Sequence, residues 1–237
     1  MKKIILLLLA YFPVLSQDYK VPPDVIRSLI DADPQPTISL TREGDLALVL
    51  FRDGYRSIDE LAKDELRIAG TRLDPVRYTS SRMTYYKSFS LIDIKSGDNI
   101  SLEFPVDGKF SFFQWSPDEE KVAYANTTDK GVELWVLDIK SKKSQKVSQR
   151  YINDILNSPF QWFNSSNEIL ASLRCNIEKP NISSVPTGPI IQETTNQNAP
   201  SRTYQDLIKN KNDEYLIEKF KNKYFKKIRY YDCRGAG

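Results

Sequence analysis

The chain has 237 residues, 40% hydrophobic and 27% charged, a globular composition with enough apolar material for a core. The net charge of +3 comes from basic residues scattered along the chain, with no basic groove interleaved with aromatics, which argues against a nucleic-acid partner. Tyr (13) and Phe (11) outnumber Gly (9), a balance that favours strands.

Lys2 and Lys3 precede the apolar run IILLLLAYFPVL, and Val14-Leu15-Ser16 forms a small-residue cleavage site before Gln17. Residues 1–16 therefore read as a signal peptide. The run falls short of the roughly 20 residues that span a bilayer. The expectation is a secreted or periplasmic chain with no membrane span after cleavage. Residues 17–36 hold Pro22, Pro23, Pro34 and Pro36 and read as an extended lead-in with one helical turn near Val25 to Ile30. Ile38–Leu40 and Leu46–Phe51 alternate around a Glu43-Gly44 turn, giving a hairpin. Ser57 with Glu60 three residues on forms a capping box. With Ile58, Leu61, Leu66 and Ile68 as an apolar side, this stretch predicts a short helix plus loop inserted between strands. Strand character resumes at MTYYKSFSLIDIKSGDNISLEF, with a hairpin turn at Ser96-Gly97-Asp98-Asn99.

The next segments repeat. Phe113-Gln114-Trp115 returns as Phe160-Gln161-Trp162, and Asp93-Ile94-Lys95-Ser96 returns as Asp138-Ile139-Lys140-Ser141. A period in the forties with several short strands per unit marks β-propeller blades, which must stack because each sheet cannot bury both faces alone. The fold expected is all-β: a partial β-propeller of about two to three antiparallel blades over residues 17–179, with a short helical insertion. Closed propellers need about four to eight blades, so the chain is expected to be incomplete. The aromatic positions of the repeats read as core. The alternative reading is a stand-alone secreted module that captures peptides in an exposed aromatic pocket built from residues such as Tyr85, Tyr86, Trp115 and Trp135.

After Pro180 the texture changes. Residues 180–203 hold four prolines and read as a loop. Residues 204–237 read as a helix-like basic tail, with Tyr204 to Phe225 helical and its lysines on a solvated face; after about residue 214 the tail is unlike a blade. Cys175 and Cys233 are expected to be unpaired thiols, since two cysteines are no disulfide framework.

The chain contains no histidine, which removes Ser-His-Asp and Cys-His catalysis and His-bearing zinc sites. It has no G-x-S-x-G elbow, P-loop or G-x-G-x-x-G. The carboxylate clusters Asp118-Glu119-Glu120 and Asp59, Glu60, Asp64, Glu65 fall on a turn and a surface helix, where solvation explains them. No catalytic, cofactor-binding or metal-binding residue is assigned, and no cofactor is expected. The sequons at Asn99, Asn126, Asn164 and Asn181 are taken as chance matches.

Several stretches resemble one family. SIDELAKDELRIAGTRLDP with SRMTYYKSFSLIDI (Ser57 to Ile94), FQWSPDEEKVAYA with VELWVLDI, and above all VPTGPIIQETTNQNAPSRTYQDLIKNKNDE (Val185 to Glu214) resemble secreted bacterial glutamyl peptidases and their chloroplast relatives, of the prolyl oligopeptidase clan. The resemblance runs from about residue 20 to 214. It implies an N-terminal propeller that gates an α/β-hydrolase domain, a serine-type peptidase acting after glutamate, and the partners that follow from that: peptides, and the chain's own missing C-terminal hydrolase domain. It transfers no catalytic residue to this chain. Beyond Glu214 the run EYLIEKFKNKYFKKIRYYDCRGAG departs from the family pattern, which predicts a truncated product, inactive alone.

Overall fold

A computed structural model describes residues 20–105, 108–155, 158–175, 208 and 211–229. The stretch read as a signal peptide, the stretch read as a Pro-rich loop, the Val185 to Asp206 part of the strongest family match and Cys233 lie outside the described residues. Residues up to Ala32 form a unit of their own. In it, α1 (Asp24–Ile30) starts after Pro23, whose carbonyl accepts from Ile26 N and Arg27 N, and none of its side chains is buried.

The remainder is built from antiparallel meanders. In the first, β1 (Thr37–Leu40) pairs with β2 (Leu46–Arg52). β2 pairs in turn with β6 (Tyr86–Asp93), and β6 with β7 (Asn99–Ile100). The second runs β8 (Phe110–Trp115), β9 (Lys121–Thr127), β10 (Val132–Asp138), β11 (Lys143–Lys146). Tyr86 opposite Phe110 is the pairing between these two. The third runs β12 (Phe160–Trp162), β13 (Glu168–Arg174), β14 (Lys223–Arg229). The chain is a partial β-propeller, and these are its blades.

The sequence repeats reappear as repeated turns. Thr41 N donates to Leu46 O, Ser116 N to Lys121 O, and Phe163 N to Glu168 O. The fourth residue of each turn is left-handed: Gly44 (φ 70), Glu119 (φ 59) and Ser166 (φ 56). Glycine takes this conformation freely, while the other two are held in it by the closing hydrogen bonds. The DIKS repeat does the same one hairpin later, with Gly97 (φ 77) matched by Lys142 (φ 60). Asp93 and Asp138 each cap their turn, accepting from Ser96 N and Ser141 N.

Blade stacking follows from the strand period of two. On β9, Val122 and Tyr124 join Leu48, Leu50, Phe89, Phe110 and Leu137, the core between the first two blades. Ala123 and Ala125, on the opposite face, join Leu134, Val136, Phe160, Trp162, Ile169 and Leu173, the core between the second and third. The second blade is thus buried on both faces, and each fully buried large apolar side chain contributes about 1.5–3 kcal/mol. Within the first core, Phe89 stacks on Phe104 at 4.2 Å, and Phe110 meets Phe89 edge-on at 5.2 Å.

The insertion between β2 and β6 begins as expected: Ser57 Oγ accepts from Glu60 N and opens α2 (Ile58–Leu61). The expected loop is instead a small sheet, β3 (Leu66–Ile68), β4 (Thr71–Asp74) and β5 (Thr79–Ser80). The tail differs as well. α3 spans Lys211–Lys221 and buries Tyr215 and Phe220, the latter against Leu73, Tyr78 and Ile155, while its lysines stay exposed or half-buried. The helix then ends, and the stretch read as unlike a blade pairs along all of β13 as β14. An available strand edge overrides the weak helical preference of a Lys/Tyr-rich run.

Candidate functional site

The first strands of the three blades lie side by side, strapped by the repeated tripeptide. Trp115 Nε1 donates to Ser39 Oγ on β1 at 3.1 Å, and Trp162 Nε1 donates to Gln114 O on β8 at 3.1 Å. Gln114 Nε2 donates to Ser158 Oγ at 3.0 Å and Phe160 O at 3.2 Å. The blade-opening turns are linked too, Arg42 N to Glu119 Oε1 at 2.8 Å and Asp118 N to Ser166 Oγ at 3.1 Å. Between β8 and β12 runs a groove of about 690 Å³ lined by Gln114, Trp115, Ser158, Phe160, Gln161 and Trp162, with Arg42, Glu119, Leu170 and Phe225 also on its walls. Amides, hydroxyls and aromatic faces in one groove can hold an extended peptide. The serines there have no imidazole to activate them, because the chain contains none.

A second concentration of chemistry is buried where the insertion meets the blades. Arg77 Nη2 donates to Glu60 Oε1 at 2.5 Å and Arg77 Nε to Asp74 Oδ2 at 2.6 Å, with Arg77 only 3% exposed and Glu60 7%. Lys109, from the second blade, reaches Glu60 Oε2 at 2.6 Å. Thr79 donates to Asp154 at 2.9 Å, and Arg174 from β13 donates to the carbonyls of Val76 and Arg77 while lying over the ring of Tyr78 at 4.4 Å. The cluster clamps the insertion onto the second and third blades. Burial would raise the Glu60 carboxyl, but hydrogen bonds from Arg77 and Lys109 prevail and hold it at about 2. At Tyr85 burial does set the direction, and the phenol is pushed up to about 12.

Because the Glu60 carboxyl is depressed in the folded state, its contribution is complete above pH 4.5 and is lost as the pH falls from 4.5 towards 2. The urea midpoint is expected to be level from pH 7 to 5 and to drop below 4.5. A Glu60→Gln variant should show a shallower drop over that window; an unchanged acid slope would show that Glu60 does not carry it. Glu65, held at about 2 by hydrogen bonds from Ser81 and Arg67, titrates in the same window and adds to the residual slope, as do the depressed carboxyls of Glu168, Asp45 and Asp118.

The structure corrects two expectations. Asp118 does cap a turn, accepting from Ser116 Oγ and Glu120 N. The other carboxylate group divides: Asp59 and Asp64 are exposed as expected, but Glu60 is buried in the clamp, and Glu65 is largely enclosed by arginines. Nor do Tyr85, Tyr86, Trp115 and Trp135 form an exposed pocket. Tyr86, Trp115 and Trp135 pack against the core between the first two blades, and Tyr85 lies under Lys109. The groove uses Trp115 but not the other three, and combines it with Gln114, the second tripeptide and residues of other strands such as Leu170 and Phe225, which strand spacing alone does not bring together. Arg77 and Lys109 also escaped sequence reasoning, since they lie 17 and 49 residues from Glu60. Asn126 is buried, which rules its sequon out as a surface acceptor. Cys175 carries a free thiol. Among the described residues no three His, Cys, Asp or Glu gather as a metal-ion set, and no helix is long and apolar enough to cross a membrane.

No family model matches the chain. A protein of Oryza sativa subsp. japonica named probable glutamyl endopeptidase, chloroplastic, is 30% identical over 217 residues, which cover 84% of this chain and 23% of that protein. The chain is a propeller portion related to glutamyl endopeptidases. The protein of the same name from Arabidopsis thaliana is 28% identical over 215 residues, 84% of this chain and 22% of that protein. The chain thus spans less than a quarter of the length of these glutamyl endopeptidases. Among solved structures, the acylaminoacyl peptidase of Pyrococcus horikoshii is 17% identical with a TM-score of 0.36, over 66% of this chain and 20% of that one. A putative TolB from Agrobacterium tumefaciens is 9% identical with a TM-score of 0.29, over 56% and 52%.

Proposed function

We propose that the chain is the substrate-facing propeller portion of a secreted serine peptidase, restricting entry to peptides and small unfolded segments, and that it is inactive alone. The observation that carries this reading is the similarity of 84% of the chain to a protein named glutamyl endopeptidase. The sequence is consistent with it. A chain without histidine has no imidazole for acyl transfer, so Ser, Asp and His must come from an α/β-hydrolase domain outside these residues. Lys2, Lys3 and the apolar run behind them support export, with the mature chain starting near Gln17 in the periplasm or medium. Translating all three forward frames downstream of the Asn210 codon tests the reading. A hydrolase domain with a G-x-S-x-G elbow in any frame supports it, and no such frame over the length of a hydrolase domain overturns it. The purified chain is expected to release no product from a glutamyl anilide.

The groove between the two Phe-Gln-Trp copies favours a second reading, a stand-alone peptide-binding module. That reading requires a monomer with one cooperative melt. A broad melt with sheet-edge oligomers would rule it out.

A further inference from the structure

The three blade-opening turns put the blades in register with one another. Thr41–Leu46, Ser116–Lys121 and Phe163–Glu168 close on the same hydrogen bond, so residues counted from them are equivalent from blade to blade. Ser39, Leu48 and Leu50 of the first blade meet the second, and Gln114, Ala123 and Ala125 of the second meet the third. Gln161, Leu170 and Ser172 hold those places in the third blade, with no following blade among the described residues. The receiving face repeats as well. Phe113 and Trp115 of the second blade, then Phe160 and Trp162 of the third, pack against the blade before. Ile38 and Leu40 hold these places in the first blade, where they are 59% and 53% exposed. Phe225, opposite Ser172 on the third blade, is 61% exposed. The stack therefore ends on both sides in apolar surface of the kind that marks association.

We propose that two copies of the chain cover each other's ends, the third blade of each on the first blade of the other, and close a ring of six blades. Closed propellers hold about four to eight. The interface reuses contacts that the chain already makes: Gln161 is placed to donate to the Ile38 carbonyl of the second copy, as Gln114 donates to Phe160 O. Charge decides which ends meet. Around the turns at the edge of the first blade, Glu43, Asp45, Asp93 and Asp98 outnumber Arg42 and Lys95. At the matching edge of the third blade, Lys227 and Arg229 outnumber Glu168, which pairs with both. Unlike ends attract, whereas first-to-first or third-to-third contact would oppose like charges. Once one interface forms the second is intramolecular, which favours a closed pair over an open chain of copies. The dimer does not depend on the peptidase reading; blades supplied by a longer product would occupy the same two faces instead.

Sedimentation equilibrium of the purified chain over a concentration series tests this. The mass is expected to rise to twice the 27.4 kDa of one chain and stop there. Leu40→Arg on the first blade and Phe225→Glu on the third, both at exposed positions, should each weaken the dimer at least about tenfold with circular dichroism unchanged. An equimolar mixture of the two variants should regain it. One interface of the mixed pair is unmodified, and the other opposes two introduced charges of unlike sign. A dimer built from two first-blade faces would instead survive Phe225→Glu alone. A chain that stays monomeric, a mass that grows past the dimer, or a dimer indifferent to either variant would each overturn the proposal. If a variant misfolds, the limiting mass of the unmodified chain still decides. A hydrolase frame downstream, present or absent, changes none of these outcomes.

Discussion

Replacing Arg77 with methionine is expected to cost about 3 kcal/mol, the lower part of the range for breaking a buried ion pair by removing one partner. Methionine keeps much of the volume but no donor. Glu60 Oε1 and Asp74 Oδ2 lose their charged partner inside the protein, while Lys109 still holds Glu60 Oε2 and the Val76 and Arg77 amides still hold Asp74 Oδ1. Those surviving bonds are why the low end is expected. Single domains have about 5–15 kcal/mol in total, so the loss should be plain in a urea titration. It should also be local: amides of β3, β4 and β5 should exchange faster, while those of β9 keep their protection. The double variant Arg77→Met with Glu60→Leu should recover part of the loss, because it removes the stranded Glu60 charge, although Asp74 Oδ2 stays without its arginine and the half-exposed Lys109 must turn to solvent. A double variant no more stable than the single one would show that the stranded Glu60 charge is not what the single variant loses.

What the sequence made legible was what is repeated or local. Gly44, the Ser116-Pro117-Asp118 turn and the two DIKS segments announce their hairpins through backbone chemistry that operates within a few residues, and the blades fall where these place them. The Ser57 cap was legible for the same reason. The small sheet after α2 was not, because Leu66, Ile68 and Leu73 suit a helical side as well as a strand, and its strands have only two to four residues. β14 was not legible because a lysine-rich run becomes a strand only when a ready partner such as β13 lies beside it. The site shows the same division. The Phe-Gln-Trp repeat was visible, but its role as a strap depends on Ser39 and Gln114 meeting it from the preceding blade. Which glutamate becomes buried was not visible, since that is decided by Arg77 and Lys109 arriving from other elements.

Truncating Trp162 to alanine should separate the third blade from the second. The indole is 9% exposed, fills the core that holds Ala123, Ala125, Leu134 and Ile169, and donates to Gln114 O. A buried Trp→Ala change costs about 3–5 kcal/mol through lost transfer energy and the cavity left behind. Trp115→Ala, at the equivalent place one blade earlier, should cost less, because Trp115 only packs against the edge of its core. Stacked units touch only their neighbours, so damage at one interface need not reach the next. In Trp162→Ala, amides of β12 and β13 should therefore lose hydrogen-exchange protection at lower urea than those of β2 and β6, which the Leu48, Phe89 and Phe110 core continues to hold. Trp162→Phe should fall between, keeping most of the packing but losing the Nε1 bond, a net loss of about 1 kcal/mol for the bond itself. If β2 and β13 instead lose protection together at every urea concentration, the blades unfold as one unit. The buried clamp, which ties the insertion of the first blade to Asp154 and Arg174, would then be what couples them.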